Sequence, residues 1–229
     1  MIISLTINEL KVYIAGQLGH FFPDRYAFSG NDVDSALNLG LQRTEYCFKH
    51  ITLPAYIIDG ETSFSHLHSD QYSMFLYFLS NSLWNISQNK PLCDKLILLN
   101  KTLNGMFFSY KTNLPDIFLF QHPVGSVIGN AKYSDFFVIS QSVTINTERD
   151  ENGNAAPFIG KGVFLAAGAK ILGNKSIGDR SSIGANVVIY NREVPPDSIA
   201  FKREDGSLAI VPRGKPCCIA QYFFNMPIV

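Results

Sequence analysis

Branched aliphatic residues recur at every sixth position between residues 159 and 190. The positions are Ile159, Leu165, Ile171, Ile177, Ile183 and Ile189. An α-helix repeats about every 3.6 residues, so residues six apart spread around its axis and form no stripe. An ordinary strand would also need apolar residues at all the intervening even positions, and several of these are polar or glycine here. The spacing therefore predicts a short strand and then a corner every six residues, as in hexapeptide β-helices.

Three such hexads would close one triangular coil of about 18 residues, and successive coils would stack about 4.8 Å apart. The aliphatic residue of each hexad points inward, and so does its fifth residue. Small or aliphatic residues occupy four of the fifth positions: Val163, Ala169, Ser181 and Val187. Lys175 is the exception. Gly160, Gly178 and Gly184 follow the aliphatic residue and predict close backbone approach there.

The same spacing continues upstream at Val127, Tyr133, Ile139 and Ile145, with Ala131, Phe137 and Val143 at the fifth positions. The interval from Ile145 to Ile159 is two residues longer than two hexads. Its polar sequence TERDENGNAAP predicts a loop that leaves one coil. The pattern thus predicts about four coils over residues 115–195, and β-hairpins with accidental spacing are the alternative.

The first half of the chain has a helical pattern instead. Helices are predicted over residues 32–51, 69–87 and 91–107, the second of them apolar nearly all round and therefore buried. The fold class is α+β, and we expect three parts. These are an α-helical cap (1–113), a hexapeptide β-helix (114–200) with a loop at 146–157, and a C-terminal tail (201–229) that packs on the coils or on a neighbouring subunit.

Composition narrows the function classes. The formal net charge is +0 and no basic run occurs, which gives no support for nucleic-acid binding. Asn8, Glu9 and Lys11 interrupt the apolar N-terminus, so we expect neither a signal peptide nor a membrane span. The 4 cysteines lack the spacing of a metal site. They are interpreted as reduced thiols of a cytoplasmic protein that binds no metal.

Several motifs of the second half occur in the order typical of one enzyme group. They are QHPVGSVIG (121–129), SQSVTI (140–145), AAGAKILGN (166–174), GANVV (184–188) and VPP (194–196). With the preceding helices and the looped coil, this order resembles the serine O-acetyltransferase branch of the hexapeptide-repeat acyltransferases. The resemblance covers about residues 115–200. It implies a left-handed parallel β-helix, acetyl-CoA as co-substrate, and a homotrimer whose active sites lie between neighbouring coils.

The resemblance also implies site residues. His122 matches the catalytic histidine, and an imidazole that titrates near neutral pH can serve as general base for a hydroxyl. The alternative is that His122 is a surface corner residue. Positions matching acetyl-CoA contacts are Ala167, Gly168, Ala185, Asn191, Arg192, Lys202 and Arg203. Candidate acceptor contacts are Gln121, Asp116 and Gln141.

The sequence departs from the serine acetyltransferase pattern where an acceptor is recognised. Ala155 and Ala156 replace an Arg-His pair that holds the carboxylate of serine in those enzymes, and Gln121 replaces an acidic residue. Because alanine cannot bind a charged acceptor, we expect a sugar or a glycan unit of a surface polysaccharide. The alternatives are serine O-acetylation in cysteine biosynthesis, N-acetylation of an amino sugar, and a non-catalytic trimeric scaffold.

Two further expectations concern the surroundings of the site. The carboxylate that would orient His122 is missing from its usual place, and Asp116, Glu148 and Asp150 are unranked substitutes. Outside the inward positions lie Phe164, Val188 and Tyr190, which an isolated coil would expose. Their exposure would favour the homotrimer that the resemblance implies.

Overall fold

The computed structural model describes residues 1–229 and consists of a helical first half followed by coils of short parallel strands. The helices are α1 (Ile7–Phe21), α2 (Asn31–Phe48), α3 (Ser69–Ser87) and α4 (Lys90–Asn104). The three helices with predicted bounds correspond to α2, α3 and α4, whereas no bounds were predicted for α1. Every residue from 70 to 83 in α3 is buried, which confirms the prediction of a buried helix.

Local signals explain where these helices begin and end. A capping box starts α1: the Thr6 hydroxyl accepts from the backbone of Glu9, whose carboxylate accepts from the backbone of Thr6. Asn89 caps α4, and Gly105 ends it in the left-handed conformation at φ 62°. A small sheet joins the helices, with Glu61–Phe64 between Ile2–Ile3 (parallel) and Ile57–Ile58 (antiparallel), after the 3-10 helix Pro54–Tyr56.

Short parallel strands stack in three rows, which we call the first, second and third faces. The first face contains Phe107–Phe108, Val127–Ile128, Thr144–Ile145, Lys170–Leu172 and Val188–Tyr190. The second face contains Phe118–Phe120, Phe137–Ile139, Phe164–Leu165, Ser182–Ile183 and Ser198–Lys202, with Leu208–Pro212 added antiparallel. The third face contains Lys132–Tyr133, Phe158–Ile159 and the bridged residues Ile177 and Val194. We call residues 107–202 the hexapeptide coil.

The predicted six-residue repeat is confirmed in the interior of the hexapeptide coil. All six aliphatic residues from Ile159 to Ile189 are at most 1% exposed. Upstream, Val127 is an error of the prediction, because it is 41% exposed and Ile128 (1%) takes the inward place. Ile128 pairs with Ile145, but Tyr133 follows only five residues later, so the spacing slips by one in this coil.

The first strand, Phe107–Phe108, precedes the boundary predicted at residue 113, and the domain division itself stays a prediction. The predicted loop is present as an antiparallel hairpin that pairs Glu148–Arg149 with Ala155–Ala156. The hairpin projects from the coil between a strand of the first face and a strand of the third face.

The C-terminal tail packs on the hexapeptide coil of its own chain. Its 3-10 helix spans Ile219–Phe223, and the Phe223 ring stacks on the Phe164 ring. The ring centroids are 6.0 Å apart and the angle between the ring planes is 7°. Phe164 is therefore half-buried within one chain, contrary to the expected exposure, whereas Val188 (42%) and Tyr190 (74%) are exposed as predicted. The tail also joins the helical half, because Thr52 donates its backbone N–H to Phe223 O at 2.9 Å.

Helix α3 sets the position of the helical half relative to the coil. The Tyr77 hydroxyl donates to Thr112 O at 2.9 Å and accepts from the backbone N–H of Leu114 at 2.8 Å. The Phe78 ring lies 5.3 Å from the ring of Phe118 on the second face. One continuous cluster of 57 buried residues joins both halves. None of the helices is long and apolar enough to cross a bilayer.

Close approach between coils makes Gly178 a stability-determining position. A Cβ built there would lie 2.4 Å from Pro196 N in the next coil, whereas Gly16 in α1 has no atom within 4 Å. We expect Gly178→Ala to lower the free energy of unfolding by about 1–3 kcal/mol, because the coils must separate. Gly16→Ala should raise it by about 0.5–1 kcal/mol. Urea denaturation measures both, and equal effects of the two variants would contradict the stacking.

Candidate active site

His122 stands on an enlarged corner of the first coil, between the second and first faces. The inward residues that flank this corner, Phe120 and Ile128, are eight residues apart, whereas the next coils use six, as from Ile139 to Ile145. The extra length carries His122 outward at φ 50°, in the left-handed region. Its side chain is 76% exposed. The imidazole is therefore presented at the surface of a single chain.

A carboxylate from the helical half binds this histidine. Asp70 Oδ2 accepts the backbone N–H of His122 at 2.9 Å and lies 3.2 Å from Nδ1 of its ring. The Asp70 side chain is only 6% exposed and belongs to the first turn of α3. The amino-terminal end of a helix stabilises a negative charge, so this carboxylate suits its place in the helix. Two contacts from one oxygen fix both the backbone and the ring of His122.

This contact determines what the imidazole can do chemically. The Asp70 carboxylate lies 3.2 Å from Nδ1, and a carboxylate at this distance favours the tautomer that carries the proton on Nδ1 and the lone pair on Nε2. Nε2 lies on the opposite edge of a ring that is largely open to solvent, where a hydroxyl can approach. A histidine held in one tautomer by a buried carboxylate is the usual arrangement of a general base.

The substitutes proposed from sequence for the orienting carboxylate are wrong. Asp116 lies before the strand Phe118–Phe120 and lines a cavity of ≈ 720 Å³ with Asp135 and Lys161, at another corner of the coil. Glu148 and Asp150 belong to the hairpin, where Asp150 accepts from the backbone of Asn152 and Asn154. Residues 70–73 only faintly resemble the helical part of serine acetyltransferases, and Asp70 was not expected to bind His122, which lies 52 residues later in the coil.

Several sequence-predicted residues do share the corner of His122. Backbone N–H groups link its successive levels: Ser142 donates to Val124 O (2.9 Å), Gly168 to Gln141 O (2.9 Å) and Asn186 to Ala167 O (2.8 Å). We call residues 121–126, 140–143, 166–169 and 184–187 the His122 corner. It brings Gln121, Gln141, Ala167, Gly168 and Ala185 together with His122.

Small residues line one edge of this corner, so no bulky side chain projects from that edge. Gly168 has φ +72°, and a Cβ there would lie 2.2 Å from Asn186 Oδ1 in the next coil. Gln141 and Ala185 are exposed, and Ala167 is half-buried. From His122 to Ala185 the corner rises by three strand spacings, about 14 Å. The result is an open edge of backbone and small side chains that leads away from the imidazole.

The four residues expected beyond the last coil of the acetyl-CoA site divide into two groups. Lys202 and Arg203 follow the second face one level beyond Ala185, since the Gly184 N–H donates to Ala200 O at 2.8 Å. They line a shallow cleft of ≈ 550 Å³ and form no ion pair within the chain. Asn191 and Arg192 lie instead at the corner between the first and third faces, where Asn191 lines a cavity of ≈ 300 Å³. One chain does not bring these two residues to His122.

The remaining histidines and the cysteines have structural contacts. His66 Nδ1 lies 2.8 Å from Ser4 Oγ, His68 caps α3, and His50 contacts Asn225 of the tail. All four cysteines are free. Burial raises the pKa of the Cys47 and Cys93 thiols to about 12, so both stay protonated at neutral pH.

Comparison with known proteins confirms the resemblance stated above. Residues 156–191 match the family described as bacterial transferase hexapeptide (six repeats). The serine acetyltransferase of Synechococcus elongatus is 34% identical over 116 residues, which are 50% of this chain and 47% of that protein. The chain thus spans about half the length of the curated relatives that it matches.

Solved structures show the same fold over most of the chain. The serine acetyltransferase of Vibrio cholerae has a TM-score of 0.68 at 21% identity, covering 92% of this chain and 81% of that one. A serine acetyltransferase in complex with CoA has a TM-score of 0.53 at 22% identity, covering 86% of this chain and 73% of that one. The match therefore extends through the helical half as well as the hexapeptide coil.

The contact with Asp70 predicts the tautomer of His122. In the native protein at pH 8 we expect the ring proton on Nδ1, because the Asp70 carboxylate lies 3.2 Å from that nitrogen. Asp70→Ala should shift the equilibrium toward the Nε2–H form that free imidazole prefers. Nitrogen-15 NMR of the His122 ring distinguishes the two forms. Asp116→Ala is the matched control and should leave the spectrum unchanged; a native spectrum with the proton on Nε2 would refute the contact.

Proposed function

We propose that this protein transfers an acetyl group from acetyl-CoA to the hydroxyl of a small acceptor, and that the acceptor is serine. One observation carries the proposal: Asp70 accepts the backbone N–H of His122 and lies 3.2 Å from its Nδ1, and Nε2 is left open at the start of an edge of small residues. A thioester and an alcohol need a base of this kind, since an aliphatic hydroxyl is protonated at neutral pH.

The proposed reaction is a direct transfer. His122 Nε2 removes the proton of the acceptor hydroxyl while its oxygen forms a bond with the thioester carbonyl carbon. The carbon–sulfur bond then breaks, and the imidazolium returns its proton to the departing sulfur. Asp70 stabilises the imidazolium between the two steps and keeps the ring in place. The products are the acetyl ester and the free thiol of CoA, and His122 ends in its starting form.

The His122 corner supports binding of acetyl-CoA. Ala167, Gly168 and Ala185 leave backbone groups accessible along about 14 Å of the coil, a length that an extended pantetheine arm can follow. Lys202 and Arg203 stand one level further and form no ion pair, so they can bind phosphate there; the alternative is a solvated charge cluster with Glu204 and Asp205, which line the same cleft. Asn191 and Arg192 would reach the same ligand only from a neighbouring copy.

The choice of serine rests on the comparisons. The relatives named above are serine acetyltransferases, and none of them supports the glycan acceptor expected from the sequence. A sugar hydroxyl is the second candidate, because one observation favours it. Ala155 and Ala156 place no charged side chain on their strand of the hairpin, and Gln121 beside His122 is neutral.

Assembly into a trimer of left-handed coils belongs to the same proposal. His122 is 76% exposed, and Val124 (62%) and Val127 (41%) add apolar surface near it. A second chain packed on this surface would exclude water from the imidazole, which strengthens its interactions with the reacting groups. The cytoplasmic location expected from the cysteines stays a prediction.

Thiol release from acetyl-CoA by the purified full chain tests the proposal. We expect serine to support release, and a panel of free sugars, amino sugars and sugar nucleotides to support much less. His122→Ala should lower kcat by about 10²–10⁴-fold, since it removes the base, and Asp70→Asn by a similar factor. Asp116→Asn is the matched carboxylate control and should retain kcat.

The outcomes separate the alternatives. Release with sugars alone would replace serine by the second candidate, and an amide product with an amino sugar would indicate N-acetylation. Unchanged transfer by the His122→Ala variant would overturn the assignment of the base. No release with any acceptor by the folded protein would contradict the enzymatic function and favour a scaffold.

A further inference from the structure

The position of Asp70 depends on the first turn of α3, and the cap of that turn is weak. His68 caps the helix through Nδ1, which accepts from the Gln71 N–H at 3.5 Å, the upper limit of a hydrogen bond. Imidazole is not among the side chains that cap helices well. Some other interaction must hold this turn if Asp70 is to stay within hydrogen-bond distance of His122.

Gln71, the residue after Asp70, provides that interaction. Its side chain is 0% exposed and its amide is bound at both ends. Oε1 accepts the backbone N–H of Ser65 at 2.7 Å, and Nε2 donates to the backbone oxygen of Ala55 at 2.7 Å. Both bonds are short and part-buried, and losing them would leave the fully buried amide of Gln71 without partners, which is costly.

The two backbone partners belong to different parts of one small structure. Ala55 lies in the 3-10 helix Pro54–Tyr56, and Ser65 directly follows the central strand Glu61–Phe64 of the small sheet. Gln71 therefore ties the first turn of α3 to that sheet and to the 3-10 helix. Tyr56 packs in the same place, 5.9 Å from the ring of His68. Burial and then the charge of Asp70 raise the pKa of Tyr56 well above its usual value, so it stays neutral there.

We propose that Gln71 is a positioning residue for the reaction, acting through Asp70 on the orientation of His122. The expected effect on kcat rests on the proposed function, whereas the expected effect on the tautomer of His122 does not. Gln71 bonds to neither His122 nor any open part of the His122 corner. It sets where the carboxylate stands, and a base misplaced by a fraction of an ångström loses rate rather than substrate affinity.

The first test replaces Gln71 by an apolar residue of similar length, Gln71→Met. We expect kcat to fall about ten- to a hundredfold with KM for acetyl-CoA and serine nearly unchanged. In an Asp70→Asn background the same substitution should cost no further rate, since its effect passes through Asp70. An equal loss in both backgrounds, or a rise in KM alone, would overturn the proposal.

A matched control comes from the same helix. Asn81 is 2% exposed, and its Nδ2 donates to the backbone of Tyr110 at 2.8 Å, far from the first turn of α3. Asn81→Leu should lower the melting temperature about as much as Gln71→Met and leave kcat of the folded protein unchanged. Equal losses of kcat in both variants would reduce Gln71 to a general stabilising role.

A second variant keeps the test decisive if Gln71→Met does not fold. Gln71→Glu preserves the acceptor for Ser65 and donates to Ala55 only while its carboxyl is protonated. Burial raises the pKa of such a group, so the ratio of variant to native kcat should fall as pH rises through it. The other titratable groups of this turn or in contact with it are Tyr56, His68, Asp70, Tyr72 and His122, which both proteins share. A ratio independent of pH would contradict the proposal.

Nitrogen-15 NMR of His122 gives a readout that needs no activity. In Gln71→Met we expect the ring to lose its pure Nδ1–H form, whereas Asn81→Leu should keep it. A protein that shows the tautomer shift but no acetyl transfer would retain the positioning role and lose the proposed function. A native tautomer in Gln71→Met would overturn the inference even if the protein proved to be an acetyltransferase.

Discussion

The proposed chemistry depends on a single contact between the two halves of the chain. Asp70 lies in a helix of the first half, and His122 lies on an enlarged corner of the hexapeptide coil. Under the proposed function the two act together: Asp70 favours the Nδ1–H tautomer of His122, and His122 gives the buried carboxylate its partner. The packing of α3 against the second face, through Tyr77 and Phe78, is what keeps the two within reach.

The hexapeptide coil provides the rest of the site by repetition. Its inward aliphatic residues stack one coil on the next, which holds the corners above one another at the spacing of paired strands. An edge of small residues then follows from Ala167 to Ala185 without any dedicated pocket. Where the coil must differ, at His122, the corner is lengthened by two residues relative to the coils above it.

Periodic features were predictable from the sequence, and non-local ones were not. Six inward residues from Ile159 onward followed from spacing alone, because each coil repeats the same environment. Val127 was misplaced because one coil is a residue short, which only the register with Ile145 shows. The contact of Asp70 with His122 was not predicted, because no local pattern links an aspartate at the start of a helix to a histidine 52 residues away. The cover of Phe164 depends on Phe223 in the tail, again a long-range contact.

The most direct test is a crystal structure of the assembled protein with CoA bound. We predict that the CoA thiol lies within about 4 Å of His122 Nε2, with the pantetheine arm along Ala167, Gly168 and Ala185, and with Asp70 on Nδ1. CoA bound elsewhere on the coil, or an imidazole turned away from the thiol and free of Asp70, would contradict the account.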